Sequence, residues 1–507
     1  MNVIYLQDAL NYDGKTRMKP LTAVFPYSPG PFFEKTLTWL GQSALVERVV
    51  VVSEEPVQVE ADNCRVLLAG PLSSHATLEL VLSEVRTRYL LFLPGDNNIS
   101  VEPEALERML EAAQSTGAAM VYSDFYEIRA QARIPHPLND YQLGSVRDAF
   151  DFGAIILFSV SAVQRAMNKY GLVPGFKFAG LYDLRLKLSI DHALHHLKEP
   201  LYSVMRTNDL SSSQTLFAYV DPRNVAMQKE METVFTDYLK KIGAYLPPHQ
   251  QNQAEQPAQV FPVEASVVIP VLNRRGTIGD AVTSALSQET DFPFNVIVVD
   301  NHSVDGTTAM LSDLARQHSR LKHIIPMRTD LGIGGCWNEA LHSDACGRYA
   351  VQLDSDDLYK NARTLQKMVN MLRQDNCAMV IGSYTLVDFR LEEMPPGLVD
   401  HREWTDENGH NNALRVNGLG APRAFNTNVM LKIGFLNVSY GEDYAAALRI
   451  CREYRIGRIY ESLYLCRRWP GNTDTALTIE EANRNDAFKD KIRTEEIVAR
   501  QKINAIG

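Results

Sequence analysis

The sequence predicts an α/β protein with mainly parallel sheets, built as two copies of one fold in tandem. Short β-branched runs such as RVVVVS and NVIVVD alternate with amphipathic helical stretches in both halves of the chain. This alternation is typical of parallel strands that are covered by helices. The halves also correspond in order, because YLLFLPGDN at 89, MVYS at 120 and LYSVMR at 201 match YAVQLDSDD at 349, MVIG at 379 and LYLCRR at 463. Nearly constant spacing between these pairs indicates a duplicated fold.

Four strands are predicted in each half from their apolar, β-branched composition. They are VIYL, RVVVVS, YLLFLPG and MVYSDF in the first half, and SVVIPVL, NVIVVD, YAVQLD and MVIGSY in the second. The stretch Tyr182-Asp183-Leu184 falls near the place that Glu442-Asp443-Tyr444 takes in the second half. The duplication therefore extends to the residues that follow the strands.

Residues 245–262, YLPPHQQNQAEQPAQVFP, interrupt the pattern with Pro and Gln. Such a composition buries little apolar surface and predicts a linker. We therefore expect a first domain over residues 1–244, a second over 263–475, and a helical extension over 476–507. The extension has mixed charge, and we interpret it as a helix for packing or for contact with a second copy of the chain.

Composition and charge restrict the function further. The 507 residues suffice for two domains, and 61 acidic against 51 basic residues argue against nucleic-acid binding. Six cysteines without CxxC or zinc-like spacing are typical of reduced thiols in a cytosolic protein. The N-terminus lacks a signal-peptide pattern, and no run approaches the roughly 20 apolar residues of a membrane span. We expect a cytoplasmic protein, attached to a membrane at most peripherally.

A cluster of carboxylates follows a predicted strand of the second half. Asp354, Asp356 and Asp357 come within four residues, directly after YAVQL. Like charges this close repel each other unless a cation or donor groups offset them. Oxygen ligands without His or Cys suit Mg²⁺ or Mn²⁺ shared with substrate phosphates. The alternative is a helix N-terminus, where the dipole favours acidic residues.

Other polar residues stand where predicted elements begin or end. The strand SVVIPVL is expected to break at Pro270, and NVIVVD ends at Asp300 in a turn-forming DNHS sequence that also suits a helix cap. Ligands bind at such strand ends in open α/β sheets. Glu442 and Asp443 head a predicted helix, either as caps or as a general base.

The ordered set of segments resembles a family 2 glycosyltransferase of the GT-A fold, from about Ala265 to Asp474. The set is VVIPVLN, VVDNHSVDGT, TDLGIGGCWNEAL, QLDSDD, GEDY and an arginine-containing loop, CRRWPGN. The resemblance implies two GT-A-like, Rossmann-like domains, of which the second is catalytic. It also implies a metal-dependent, inverting transfer from a nucleotide-sugar donor, most commonly UDP-linked, to a glycan, lipid-linked or other hydroxyl acceptor.

The resemblance assigns roles residue by residue. It implies that Asp356 binds Mn²⁺ or Mg²⁺, that Asp443 is the catalytic base, and that Glu442 lies beside it in the acceptor site. The donor would be bound by residues of four segments, with Asp300 at the nucleoside, Asp354 at the ribose and two arginines at the diphosphate. These residues are Pro270, Asn273, Asp300, Asp354, Arg467 and Arg468.

Two residues of the second half depart from the family pattern. Trp469 stands roughly where many members have a histidine in the last loop, which puts metal coordination from that loop in doubt and makes Arg467 or Arg468 the alternative phosphate contact. Trp337 precedes Asn338 where an arginine is usual. Neither departure touches the carboxylates.

The first half looks like a sugar-1-phosphate nucleotidyltransferase in its DGKTRMKPLT stretch, but the chemistry of that family is damaged. Its phosphate loop needs several glycines, and this chain has Gly14 alone in ALNYDGKTRM. LPGDN replaces LDSDD, so that Pro94 stands at the position of Asp354. We therefore interpret this half as a degenerate domain for packing, dimerisation or acceptor binding. An active nucleotidyltransferase and an inactive sugar-nucleotide-binding scaffold are the alternative functions.

Overall fold

A computed structural model describes residues 18–95, 98–129, 132–205, 221–248, 252–254, 260–416, 419–469, 471–472 and 477–506. The described residues separate into two compact units, the first within 1–138 and 152–207, and the second within 139–151 and 208–507. The predicted strand VIYL lies outside the described residues. Among the described helices, none has the length and apolar character needed to cross a membrane.

The first unit is built on a mostly parallel seven-stranded sheet with helices between its strands. Its strands are β1 (Leu21–Pro26), β2 (Val46–Ser53), β3 (Cys64–Leu68), β4 (Tyr89–Phe92), β5 (Asn98–Val101), β6 (Met120–Ser123), β7 (Phe125–Arg129), β8 (Ala132–His136), β9 (Ile156–Ser159), β10 (Leu194–Leu197) and β11 (Tyr202–Met205). Its helices are α1 (Pro31–Gln42), α2 (His75–Glu84), α3 (Ala105–Thr116), α4 (Val160–Tyr170) and α5 (Gly180–Asp191). The large sheet has the order β10-β6-β9-β4-β1-β2-β3, and β5-β11-β7-β8 form a smaller one.

The second unit repeats this architecture with a larger sheet. Its strands are β12 (Ala265–Val271), β13 (Phe294–Asp300), β14 (Leu321–Ile324), β15 (Tyr349–Gln352), β16 (Leu358–Tyr359), β17 (Met379–Val387), β18 (Glu393–Val399), β19 (Arg423–Asn426) and β20 (Ile456–Arg467). Its helices are α6 (Val225–Lys241), α7 (Ile278–Leu286), α8 (Thr307–Gln317), α9 (Ile333–Leu341), α10 (Thr364–Asp375), α11 (Gly409–Asn412), α12 (Thr427–Ile433), α13 (Glu442–Glu453) and α14 (Ile479–Ile506). The sheet order is β14-β13-β12-β15-β19-β17-β20-β16, with β18 paired to β17.

The two sheets share one topology. In each, three parallel strands are followed by a fourth parallel strand, then by an antiparallel strand, β9 or β19, and then by two more strands, β6 and β10 or β17 and β20. The second sheet continues with β16, which pairs antiparallel with β20. Strands β4 and β15 correspond, as do β6 and β17, in agreement with the sequence matches at 89 and 349 and at 120 and 379. The prediction of an α/β fold with two similar domains in tandem is confirmed.

The predicted break at Pro270 is displaced in the structure, since β12 continues to Val271. Strand β15 pairs with β12 only as far as Val268, whereas β13 pairs with it up to Val271. The backbone N–H and C=O groups of alternate residues in β12 point to opposite neighbouring strands. Like Val268, residue 270 therefore points its backbone groups toward β15, where pairing has already ended. The missing N–H of the proline therefore costs no ladder hydrogen bond.

The described part of the predicted linker lies along the second unit. Leu246 is buried, the Asn252 N–H donates to the Glu453 carbonyl at 2.9 Å, and the Ala254 N–H donates to the Asn376 carbonyl at 2.8 Å. The structure also groups residues 139–151 and helix α6 with the second unit. The boundaries at 244 and 263 remain predictions.

Helix α14 packs within the second unit through a charged face. Its buried residues include Asp490, Arg493, Glu496 and Arg500. Asp490 accepts hydrogen bonds from Arg493 at 2.7 Å and from Arg147 at 3.2 Å, and Arg500 donates to Glu496 at 2.8 Å. Buried charges of this kind are tolerated because each has a partner. The helix is thus a packing element, one of the two roles expected for it.

Candidate active site

A cavity of about 500 Å³ opens at the carboxyl ends of β12 and β15. Parallel sheets place their strand ends, and the loops that follow them, at one edge, where α/β proteins bind ligands. Residues from seven separate segments line it, among them Pro270, Asn301, Trp337, Asp356, Arg423, Asp443 and Arg468. The volume is in the range of pockets for small organic ligands.

The three carboxylates after β15 lie together at this cavity, as the sequence predicted. Asp354 accepts a hydrogen bond from the Gln352 amide at 2.9 Å, and Asp357 accepts one from the Arg467 backbone N–H at 2.8 Å. Burial, with repulsion between neighbouring aspartates, raises the pKa of Asp354 and raises the pKa of Asp357 well above its ordinary value. A bound cation would relieve this repulsion.

Asp356 is held by the loop that follows β20. Its Oδ2 accepts hydrogen bonds from the Trp469 indole at 3.1 Å and from the Asn472 amide at 3.2 Å. The Trp469 ring packs edge-on against Phe389, with ring centroids 5.3 Å apart. The residue that replaces the family's histidine therefore contacts the predicted metal ligand as a hydrogen-bond donor. Sequence reasoning missed Asn472, since an Asn after Pro-Gly looks like an ordinary turn residue.

The two predicted diphosphate arginines take different positions. Arg468 lines the cavity. Arg467 is 2% exposed and lies outside the lining, where its Nη1 contacts Asp280 at 2.9 Å and its Nε donates to the Asp356 carbonyl. Arg467 thus joins the loop to the Asp356 backbone, and of the pair Arg468 is placed for a ligand.

The structure places Asp300 away from the cavity surface. Asp300 is fully buried and accepts hydrogen bonds from the Ser303 N–H at 3.0 Å, from Thr308, and from His323 at 3.4 Å. Burial alone would raise the pKa of Asp300, but these hydrogen bonds hold it below its ordinary value. The carboxylate shapes the turn after β13, and its predicted contact with a nucleoside remains a prediction.

The next residue, Asn301, faces the cavity instead. Its amide donates to the Leu331 carbonyl at 2.8 Å, while its buried Oδ1 has no hydrogen-bond partner among the described residues. An unpaired buried acceptor is costly unless a ligand satisfies it. Sequence reasoning chose Asp300 because a carboxylate at a strand end can accept hydrogen bonds from a base or a ribose, and because the family resemblance assigns the nucleoside to it.

The two donor residues of the VVIPVLN opening also differ. Pro270 lines the cavity. Asn273 has a left-handed backbone with φ of 52°, and its Oδ1 accepts a hydrogen bond from the Val304 N–H at 2.8 Å. Asn273 lies outside the cavity lining, so it connects the loops after β12 and β13. Its predicted donor contact remains a prediction.

Glu442 and Asp443 begin helix α13 and border the cavity. Asp443 forms an ion pair with Arg423, with 2.6 Å between Nη2 and Oδ2. Glu442 is 7% exposed, and its Oε2 has no hydrogen-bond partner among the described residues. Burial and the neighbouring Asp443 raise the pKa of Glu442 to about 8. Although burial acts to raise the pKa of Asp443, Arg423 and Lys489 hold it below its ordinary value.

The GIGG sequence of the second half brings α9 against the loop before α13. A Cβ on Gly334 would lie 1.9 Å from the Leu436 carbonyl oxygen and 2.9 Å from the Glu442 Cβ. Only glycine permits this approach. The contact carries Trp337 into the cavity wall, where it packs on Phe435 with ring centroids 5.2 Å apart. Asn338, by contrast, holds the Phe435 backbone through two hydrogen bonds of 2.9 and 3.0 Å.

The residues at Asp356 fit a metal shared with a ligand better than one held by protein alone. Within the described part of the chain, no group of three or more His, Cys, Asp or Glu residues is arranged to hold a metal ion. Asp356 Oδ2 is occupied by two donors, which leaves Oδ1 for a cation. Mg²⁺ and Mn²⁺ commonly use one or two carboxylates together with substrate phosphates.

Residues 266–429 match the model of the family described as Glycosyl transferase family 2. The second unit contains a family 2 glycosyltransferase domain. The matched segment begins one residue into β12 and ends in α12, so it includes Asp300, the carboxylates after β15 and Arg423. Glu442 and Asp443 follow it.

Known proteins are similar to part of this chain. The putative teichuronic acid biosynthesis glycosyltransferase TuaG of Bacillus subtilis is 34% identical over 122 residues, which are 24% of this chain and 47% of TuaG. The matched segment thus spans about half of that relative. An uncharacterized protein of Mycobacterium tuberculosis, Rv1520, is 29% identical over 107 residues, 21% of this chain and 31% of that protein.

Among solved structures, S. aureus TarS 1–349 in complex with UDP-GlcNAc is 22% identical, with a TM-score of 0.36, and covers 47% of this chain and 72% of that one. The mannosyltransferase PcManGT from Pyrobaculum calidifontis, in complex with GDP-Man and Mn²⁺, is 17% identical, with a TM-score of 0.32, and covers 58% and 85%.

Proposed function

We propose that the second unit is an inverting glycosyltransferase that moves a sugar from a UDP-linked donor to a hydroxyl acceptor, with Mn²⁺ or Mg²⁺. The observation that carries the proposal is the single cavity bordered by two groups of carboxylates. Asp354 and Asp356 follow β15, and Glu442 and Asp443 head α13. One group suits a metal and a diphosphate, and the other suits an acceptor hydroxyl.

The donor side has the chemistry of a diphosphate site. Asp356 would hold the metal, which when bound offsets the negative charge that develops on the departing nucleoside diphosphate. Arg468 borders the same cavity and can contact a phosphate oxygen. The unpaired Oδ1 of Asn301 offers an acceptor to an N–H or O–H of the donor.

The acceptor side has a group that can take a proton. Asp443 is ionised beside Arg423 and is placed to accept the proton of an acceptor hydroxyl. As the acceptor O–H bond breaks, its oxygen bonds to the anomeric carbon, and the bond from that carbon to the diphosphate oxygen breaks. The proton goes to Asp443 and the bonding electrons go to the diphosphate. One displacement of this kind inverts the anomeric carbon.

The first unit supports an accessory role. Asp183, which the sequence match relates to Asp443, is 1% exposed and pairs with Lys187 at 2.6 Å. The strand β4 is followed by Leu93-Pro94-Gly95, where the second unit has Leu353-Asp354-Ser355. Asp96 and Gly14 lie outside the described residues. A carboxylate neutralised inside the fold is unsuited to catalysis, which argues against a nucleotidyltransferase here.

The test screens nucleotide sugars for donor hydrolysis and transfer, with and without Mn²⁺, and measures UDP binding by calorimetry. Asp356→Ala should abolish metal-dependent UDP binding. The matched control is Asp313→Ala on α8, an exposed aspartate outside the cavity, which should bind UDP like the parent. Equal affinity of the Asp356 and Asp313 variants, with metal present, would remove Asp356 from the site.

The same screen separates the alternative functions. Binding of nucleotide sugars without any turnover would favour a scaffold over an enzyme. Release of pyrophosphate from a nucleoside triphosphate and a sugar phosphate would favour a nucleotidyltransferase. In that case an Asp443→Asn variant should retain the pyrophosphate release, because Asp443 belongs to the second unit.

A further inference from the structure

Arg423 opens strand β19 next to the cavity and uses three nitrogen atoms for three different partners. Its Nε donates to the Leu419 carbonyl at 2.6 Å, its Nη1 donates to Gln352 Oε1 at 2.9 Å, and its Nη2 contacts Asp443 at 2.6 Å. The residue is 8% exposed. A planar guanidinium held at three points has its orientation fixed.

Gln352 extends this contact to the donor side. Its Oε1 accepts from Arg423, and its Nε2 donates to Asp354 Oδ1 at 2.9 Å. The antiparallel register of β15 and β19, in which Val351 lies opposite Ala424, sets Gln352 and Arg423 side by side. One guanidinium and one amide therefore connect the carboxylate at the head of α13 with the carboxylate after β15.

The fold itself does not require this pair, as the first unit demonstrates. Its corresponding strands are β4 and β9, which also pair antiparallel, with Phe92 opposite Ile156. Tyr89 matches Tyr349 in the sequence, which puts Phe92 at the position of Gln352. Phe158 pairs with Met120, the first residue of β6, as Phe425 pairs with Met379, the first residue of β17. Phe158 therefore matches Phe425, which puts Ile156 at the position of Arg423. Apolar residues thus occupy the corresponding positions of the same strand pair in the first unit.

The contact with Arg423 favours the charged form of Asp443. Five ionisable groups interact with Asp443: Arg423 from β19, Lys489 from α14, Tyr440 before α13, the adjacent Glu442, and Asp354 after β15. Lys489 lies over the Tyr440 ring, 4.5 Å from its centroid, and forms no ion pair among the described residues. Arg423 is the cation in direct contact with Asp443.

We propose that Arg423 is a positioning residue for glycosyl transfer, which holds Asp443 as a fixed, ionised base and through Gln352 couples its position to Asp354 on the donor side. The inference rests on the proposed function of the second unit. Arg423 touches neither the acceptor hydroxyl nor the anomeric carbon in this scheme. It acts through the two carboxylates.

The test compares Arg423→Gln and Arg423→Lys with Arg415→Gln, a substitution of another arginine of the same unit. Arg415 is 2% exposed, lies outside the cavity lining, and contacts Asp148 and Gln228. The measurement is transferase kcat and KM as a function of pH, using the donor found in the screen. Thermal unfolding of every variant is recorded alongside.

Arg423→Gln should lower kcat by at least about tenfold and move the acid limb of the rate profile about one to three pH units upward. The direction follows because loss of the cation raises the pKa of Asp443, so the base becomes protonated at higher pH. Arg423→Lys keeps the positive charge, so it should restore the acid limb of the rate profile. It should not restore the full kcat, because the guanidinium hydrogen bond to Gln352 is lost. The Arg415 variant should keep the parental pH profile.

Equal loss of rate at every pH, with the acid limb unmoved in Arg423→Gln, would refute the inference and leave Arg423 a purely structural residue. If Arg423→Gln does not fold, Arg423→Lys tests the same inference through its kcat and the acid limb of its rate profile. Parental values of both quantities would refute the inference. The melting temperatures of Arg423→Gln, Asp443→Asn and the double variant should be non-additive, because the residues are in contact. A parent that turns over no nucleotide sugar refutes the proposed function instead.

Discussion

Glu442 gives the sharpest test of the electrostatics of this site, through Glu442→Gln. The side chain is buried beside an ionised Asp443, and its Oε2 has no hydrogen-bond partner among the described residues. These surroundings raise its pKa from 4.5 to about 8. Glutamine imitates the protonated, neutral form, so the variant removes the cost of the charge while keeping the shape.

The pH dependence follows from the sign of the shift. Below the unfolded pKa, Glu442 is protonated in both states and contributes no pH-dependent cost. Between 4.5 and about 8 the folded protein binds a proton that the unfolded chain has lost, so the parent's stability falls as pH rises. At about 1.4 kcal/mol per pH unit, the full cost above pH 8 is roughly 4 to 5 kcal/mol.

The assay is thermal unfolding of parent and variant at about pH 5 and pH 9. Glu442→Gln should unfold at nearly the parental temperature at the lower pH, and on the order of 10 °C higher at pH 9. The control is Glu461→Gln, at an exposed glutamate paired with Lys367, which should change the two temperatures equally. A Glu442→Gln protein that differs from the parent by the same amount at both pH values would refute the reasoning.

The same variant decides between the two carboxylates of α13 as the base. If Asp443 takes the proton, Glu442→Gln should retain turnover within about tenfold. If Glu442 takes it, the variant should be inactive, and the parental rate should fall as pH drops below about 8.

The remaining predictions concern the base, the first unit and the unit boundaries. Asp443→Asn should lower turnover by roughly a hundredfold or more while donor affinity changes little, and a parental rate would move the base elsewhere. Lys187→Met leaves Asp183 buried without that cation and should reduce the free energy of unfolding by about 3–5 kcal/mol in denaturant titrations, and addition of Asp183→Asn should restore part of it. A fragment starting at Val263 loses Arg147 and α6 and should melt well below the full chain; an equal melting temperature would make these parts dispensable.

The sequence could predict the carboxylates at the cavity because their signal is local. A run such as YAVQL is apolar enough to be a buried strand, and the residues that follow a parallel strand must emerge at the ligand-binding edge. Asp354 and Asp356 therefore required no knowledge of the rest of the fold. Glu442 and Asp443 were found by the same reasoning, from the start of a helix.

The contacts between segments could not be predicted in this way. Gln352 and Arg423 are 71 residues apart, and they meet through the register of two antiparallel strands, which no local pattern fixes. Asp300 and Asn301 are neighbours in sequence, yet one faces the interior of a turn and the other the cavity. That choice depends on the packing of His323 and Thr308 around the turn.

Helix α14 illustrates a second limit, which concerns charge. Its composition is that of a solvated helix, but Asp490, Arg493 and Arg500 are almost fully buried in ion pairs and hydrogen bonds. The composition of a helix does not reveal whether its charged side chains contact water or pair with a buried partner. Residues 139–151, which supply Arg147 to this helix, lie in the middle of the first half of the sequence, so no local pattern assigns them to the second unit.

The duplicated helix start explains how one fold holds the same aspartate in two ways. In α5, Asp183 meets Lys187 one turn later, and both are almost fully buried. In α13, the residue four positions after Asp443 is Ala447, which offers no charge and is itself fully buried. Asp443 instead pairs with a cation from a strand, since Arg423 of β19 contacts it at the cavity edge. A lysine on the same helix keeps the carboxylate inside the fold, whereas an arginine on a neighbouring strand leaves it beside the cavity. Ala447→Lys should accordingly draw Asp443 away from Arg423 and reduce turnover even with every carboxylate of the site intact.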